Sequence, residues 1–133
     1  MEEINQNSQT SLDFNSNILK PNNENDIQEA IKHCYKKDLP IEIIGTGTKN
    51  EIGKKFQSAK TLDMSEFSGI VEYKPEELYI TVKAGTPIKT ISDELKKNNQ
   101  HLAFEPINFS EIFKKNSKEG TVGGTLSCNF SGS

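Results

Sequence analysis

The sequence contains no arginine and no tryptophan, two histidines, two cysteines and no long apolar run. Each absence narrows the function. All 16 basic residues are lysine, so the planar guanidinium fork that grips phosphate and guanine edges in pairs of hydrogen bonds is missing. A net charge of −3 and an isoelectric point near 5.4 argue against a nucleic-acid binder, which needs a basic face. No stretch approaches the roughly 18 apolar residues of a membrane span. The start, Met1-Glu2-Glu3-Ile4-Asn5-Gln6-Asn7, lacks the basic residues and apolar run of a secretory signal. Cys34 and Cys128 make neither a metal spacing nor a disulfide framework. Together these features predict a cytoplasmic chain with reduced thiols, in which the sequon matches at Asn108 and Asn129 are chance. No Ser/His/Asp or Cys/His grouping is legible. His33 falls beside the apolar stripe of a helix and reads as structural, and His101 has no acidic partner nearby. Glu76-Glu77, Asp93-Glu94, Lys36-Lys37 and Lys54-Lys55 read as solvated charge.

What is present suffices for one small domain in 133 residues. Leu, Ile, Val and Phe number 32, above the level of wholly disordered chains, and 14 of them are Ile, which predicts a strand-rich core. Residues 1–15 read as a polar, frayed tail, with a strand over 16–20 that Pro21 stops. Asn22, Asn23 and Asn25 offer helix caps. Ile27, Ala30, Ile31, Cys34 and Tyr35 then recur at helical spacing, led by acids and followed by lysines as the helix dipole prefers. Pro40 closes that helix, and Ile41-Glu42-Ile43-Ile44 reads as a strand. Strand, helix and strand in this order predict a βαβ unit with a parallel sheet. In the second half, 61–64, 69–74, 78–84 and 102–104 read as strands, the middle two forming a hairpin. Gly85-Thr86-Pro87 reads as a turn glycine, a threonine N-cap and a proline at the first helical position, opening a helix through Ile88, Ile91 and Leu95.

Three glycine-rich turns carry the chemistry: Gly45-Thr46-Gly47-Thr48, Gly85-Thr86-Pro87 and Gly120-Thr121-Val122-Gly123-Gly124. Glycine permits close backbone approach, successive free N–H groups form an anion nest, and threonine hydroxyls add donors. An Arg-free acidic chain can hold a diphosphate in this way. The first loop lacks the Gly-Lys-Ser/Thr ending of a P-loop, since Asn50 follows Lys49, and the Gly-x-Gly-x-x-Gly spacing of the dinucleotide fingerprint.

The loops in this order and spacing resemble the FAD-binding domain of the vanillyl-alcohol oxidase / p-cresol methylhydroxylase type, and within it the FAD-binding subunit of bacterial glycolate oxidases. The resembling stretches run from Leu19-Lys20-Pro21 through Pro40-Ile41-Glu42-Ile43-Ile44-Gly45-Thr46-Gly47-Thr48-Lys49, Tyr73-Lys74-Pro75-Glu76-Glu77-Leu78 and Ala84-Gly85-Thr86-Pro87 to Leu102-Ala103-Phe104-Glu105-Pro106 and Gly120-Thr121-Val122-Gly123-Gly124. The resemblance implies an α+β fold over 16–133, a small βαβ subdomain followed by an incomplete second α+β subdomain, with the boundary near 64–69. It implies FAD as cofactor, with Gly45, Thr46, Gly47, Thr48 and Lys49 at the first diphosphate loop. Gly85 and Thr86 match the turn near the flavin, and Gly120, Thr121, Gly123, Gly124 and Asn129 the second glycine loop. Thr48 stands where some members attach FAD through a histidine, so binding is expected to be non-covalent. Ile44 replaces an arginine that many members carry, and the connection over 107–119 departs from the family's shorter form. The resemblance further implies oxidation of a small 2-hydroxy acid such as glycolate. It also implies a second flavoprotein subunit and an iron–sulfur subunit as partners, with a peripheral place at the inner membrane through them. No catalytic residue and no metal ligand is nominated. The Gly/Ser-rich end at Ser133 leads to the expectation of an N-terminal piece of a longer protein. A D-lactate-type dehydrogenase and a non-catalytic assembly module with the same fold are the rival readings.

Overall fold

The computed structural model describes residues 10–47, 57–106, 119–128 and 131–132. Its centre is one amphipathic helix over three parallel strands. Helix α1 spans Glu24–Lys36, and of the three candidate asparagines Asn23 is the cap, its side chain accepting from the Asp26 N–H at 2.9 Å. Asp38 leaves the helix at φ 52°, a left-handed conformation that Asp tolerates better than most residues. Strands β1 (Ile18–Leu19), β2 (Ile41–Ile44) and β3 (Lys60–Asp63) form the parallel sheet in the order β1-β3-β2, as the βαβ reading expects. The register places Leu19, Leu62 and Ile43 side by side. Leu19 and Leu62 close against Ala30 of α1 and are essentially inaccessible. Each such leucine contributes about 1.5–3 kcal/mol by leaving water.

The tail expected over 1–15 is corrected for its last residues. Leu12 and Phe14 pack against the core, and the Phe14 ring stacks on His33 with centroids 4.4 Å apart. The Thr10 hydroxyl donates to Asp26 Oδ1 at 2.8 Å, and the buried Lys60 ammonium donates to the carbonyls of Phe14 and Ser16 at 2.8 and 2.6 Å. A turn at 13–16, closed by the Ser16 N–H donating to the Asp13 carbonyl at 3.1 Å, holds Phe14 in this place. Residues 1–9 lie outside the described residues.

Past β3, Asp63 accepts from the Ser65 N–H at 2.9 Å and starts a 3-10 turn over Met64–Glu66. Strands β4 (Ile70–Lys74) and β5 (Tyr79–Val82) form the expected antiparallel hairpin, joined by a 3-10 turn over Pro75–Glu77 and by Leu78 at φ 58°. Helix α2 spans Ile88–Lys96 and buries Ile91 and Leu95. Its cap is Pro87, not Thr86. The Thr86 hydroxyl is engaged elsewhere: it accepts from the Gly69 N–H at 3.0 Å and donates to the Lys83 carbonyl at 2.6 Å.

Two further corrections concern the last third. The strand expected over 102–104 falls at β6 (Glu105–Pro106), because the backbone finds its antiparallel partner there, β7 (Ser131–Gly132). The third glycine stretch is not a loop throughout: helix α3 spans Val122–Cys128. Thr121 starts it, its hydroxyl oxygen accepting from the Gly124 N–H at 3.2 Å, and this cap offsets part of the poor helix propensity of two glycines. No helix among the described residues is long and apolar enough to cross a membrane.

Candidate functional site

Strands β2 and β3 are neighbours in register, so Ile44 and Asp63 end side by side. Open parallel sheets place ligands beyond these carboxyl ends. A groove of about 560 Å³ lies there. Ile44, Gly45 and Thr46 line it from the first loop and Asp63 and Ser65 from the end of β3. Pro87 and Lys89 from the start of α2, with Glu119, line the rest.

The three glycine turns, distant in sequence, meet beside this groove, the first and second also lining it through Gly45, Thr46 and Pro87. The backbones of Pro87 and Thr121 form an isolated antiparallel bridge. Around it, Ile88 N–H donates to Gly120 O at 3.1 Å, Val122 N–H to Thr86 O at 2.9 Å and Gly123 N–H to Ala84 O at 2.9 Å. The Thr46 hydroxyl reaches across to the Glu119 carbonyl at 2.7 Å. The glycines make these approaches possible. A Cβ on Gly45 would lie 2.8 Å from Thr121 Cγ2, and one on Gly123 would lie 2.8 Å from the Ala84 carbonyl oxygen. A Cβ on Gly85 would collide with the Met64 carbonyl oxygen and come within 2.7 Å of that of Phe67. Distances this short are not reached by real side chains, so alanine forces a shift, of the Thr121 side chain at Gly45 and of the backbone at Gly85 and Gly123.

Of the residues singled out from the sequence, Gly45 and Thr46 line the groove, and Gly47 follows them at φ 74°. Gly85, Thr86 and Thr121 are buried and join the walls to one another. Gly120, Gly123 and Gly124 are half-buried in the same junction. Thr48, Lys49 and Asn129 lie outside the described residues. The expectation that threonine hydroxyls add donors is corrected for two of them. Thr46 and Thr86 each have one hydroxyl proton, and each gives it to a backbone carbonyl. The donors left at the first loop are backbone: the N–H groups of Thr46 and Gly47 meet no acceptor among the described residues.

Sequence reasoning did not single out Asp63 and Ser65 as site residues, nor Lys89 and Glu119. The position of Asp63 at the carboxyl end of a parallel strand was the available signal; Lys89 and Glu119 carry none without the tertiary contacts. The lining holds two carboxylates and one ammonium. The Lys89 ammonium lies 2.8 Å from Asp93 Oδ2, one helical turn on. The hydrogen bond to Asp93 holds the lysine above its ordinary value, with the Asp93 charge and then Glu119 adding to it; the same hydrogen bond holds Asp93 below its own. No cluster of three or more His, Cys, Asp or Glu side chains suited to a metal occurs among the described residues.

Comparison with known proteins gives this geometry a context. Glycolate oxidase subunit GlcE of Escherichia coli (strain K12) is 34% identical over 104 residues, which is 78% of this chain. D-lactate dehydrogenase [cytochrome] 1, mitochondrial, of Saccharomyces cerevisiae is 26% identical over 93 residues, 67% of this chain. The chain spans 27% of the length of the first protein and 16% of the second. The crystal structure of p-cresol methylhydroxylase with substrate bound aligns with 70% of this chain and 18% of that one, at 24% identity and a TM-score of 0.49. A family model described as FAD binding domain matches residues 16–133. The chain belongs to the FAD binding domain family, and its cofactor is FAD.

Proposed function

We propose that the groove receives the diphosphate-bearing part of FAD. We further propose that the chain is the cofactor-holding part of a flavin-dependent oxidoreductase subunit acting on a small 2-hydroxy acid. One observation carries this reading: the first glycine turn and Pro87 of the second line one groove at the carboxyl ends of parallel strands, and the third turn packs on both of them beside it through Thr121. The residues fit the group. Gly45 leaves the first loop without a side chain at the lining, two N–H groups at its crest are uncommitted among the described residues, and a lysine faces the same space. FAD, when bound, supplies a two-electron acceptor for the substrate carbon.

The chain's own residues bind and shape. Thr46 fixes the first loop by its bond to the Glu119 carbonyl, which sets the direction of the neighbouring N–H groups. Gly85, Thr86, Gly120, Thr121, Gly123 and Gly124 hold the opposite wall at the right spacing. Thr48, Lys49 and Asn129 are assigned to the cofactor by resemblance. Thr48 offers a hydroxyl where a covalent link needs an imidazole, so FAD is held non-covalently.

Similarity to the glycolate oxidase subunit supports glycolate as substrate and a multi-subunit assembly; a second flavoprotein subunit and an iron–sulfur subunit are assigned as partners by resemblance alone. Similarity to the yeast protein favours a second reading, in which D-lactate is oxidised instead. The test is the flavin spectrum of the full-length protein, titrated without oxygen. Bleaching by glycolate supports the first reading, and bleaching by D-lactate alone supports the second. A full-length protein that carries flavin and is reduced by neither overturns both substrates. A colourless protein that does not take up FAD overturns the cofactor site.

A further inference from the structure

A dinucleotide brings two phosphate charges to a groove lined by two carboxylates, Asp63 and Glu119, and one cation, Lys89. No arginine exists to offset them. Of the two hydroxyls in the lining, Thr46 has given its proton to the Glu119 carbonyl, and Ser65 adds one neutral donor without positive charge. Lys89 is free to move. Its side chain is 62% exposed, and its partner Asp93 is 50% exposed. Ion pairs exposed on both sides hold their geometry weakly and exchange partners at little cost. A phosphate offers more charge and more acceptor oxygens than one carboxylate.

We propose that Lys89 leaves Asp93 and pairs with the diphosphate of the bound dinucleotide, with Asp93 as the internal competitor for that ammonium. This rests on the placement of FAD in the groove. Asp93 keeps the charge at the rim of the groove before the cofactor arrives, and the affinity measured is the difference between two pairings. Glu119, the other carboxylate acting on Lys89, remains near it in either state and adds to its charging.

The test is FAD titration of the full-length protein followed by flavin fluorescence, at low and high NaCl, with riboflavin as the ligand that lacks the diphosphate. Lys89→Gln is expected to weaken FAD about tenfold, as for one charge-assisted contact, and to flatten the salt response. Lys89→Arg retains most of the affinity. Asp93→Asn, which removes the competitor, is expected to tighten FAD about twofold. Riboflavin affinity is unchanged throughout. Lys89→Gln protein that binds FAD like the parent, or loses riboflavin equally, overturns the proposal and leaves the FAD site standing. Asp93→Asn protein that binds FAD more weakly also overturns it. Parent protein that binds no FAD removes the site itself.

Discussion

The two halves of the chain are built on different physics. Around α1 the sheet is held by apolar burial: Leu19, Ala30 and Leu62 are closed to solvent, with Leu12, Phe14, Ile41 and Met64 packed around them. The β4–β5 hairpin itself holds no fully buried apolar side chain among the described residues; the buried ones of that half, Ile91 and Leu95, lie on α2. Val71 is 63% exposed and Leu78 80% exposed, and the hairpin base is tied by one buried hydroxyl, Thr86, to Gly69 and Lys83. There the backbone itself is the packing material, as at Gly85 between the carbonyls of Met64 and Phe67. A chain poor in apolar residues can therefore still fix a site wall, provided small residues let hydrogen-bonded backbone come close.

Substitutions separate the two modes. Gly85→Ala should have the largest effect, about 4 kcal/mol, above the usual 1–3 for overpacking, because the obstacles are the backbone carbonyls of Met64 and Phe67 rather than yielding side chains. Urea unfolding with the midpoint read by circular dichroism measures it, and FAD uptake should be lost with it. Leu62→Ala should cost about 3 kcal/mol by opening a cavity under α1, lowering the melting temperature while α2 and the hairpin keep their contacts. Thr86→Val keeps the shape and strips the hydroxyl, leaving Lys83 O and Gly69 N–H without that partner. A loss of about 2 kcal/mol is expected, with faster amide exchange at Gly69 as its local signature. The smallest effect is that of pH on α2. Asp93 is held below its ordinary value of 3.8, so its contribution is complete above that value and is lost as pH falls through the lowered one. Lys89 and Lys97 are held above 10.5, so theirs is present below that value and is lost as pH rises through the raised ones. Melting curves across pH should be flat between these limits, with Asp93→Asn slightly below the parent in the plateau and merging with it at the acid end.

The halves also differ in how far they could be read. Helical spacing from Ile27 to Cys34 and the β-branched run 41–44 suffice for α1, β2 and the parallel sheet, although of the expected apolar face only Ala30 and Cys34 are buried, while Ile31, Tyr35 and Ile43 are exposed. Turn residues are less decisive. Gly85-Thr86-Pro87 has the composition of a threonine-capped helix start, yet the hydroxyl of Thr86 finds better partners in the hairpin and leaves the cap to Pro87. Gly123-Gly124 has the composition of a loop, yet Thr121 caps a helix there and Gly123 needs its missing side chain to lie against Ala84. For the site, the glycines and Thr46 were legible as loop residues, whereas Lys89 and Glu119 owe their place to contacts between distant segments. No local pattern encodes such a contact.

The bond from Thr46 to Glu119 spans 73 positions in the chain. Closing so long a loop has an entropic cost that grows with the logarithm of its length, and contacts of this separation form late. During synthesis the first loop emerges early and waits, with its direction unset, until the segment at 119–121 is available. The order of assembly therefore runs opposite to the order of reading. The groove's first-made wall is the last to be fixed, and any lesion that delays the third glycine stretch leaves the earliest part of the site unfinished.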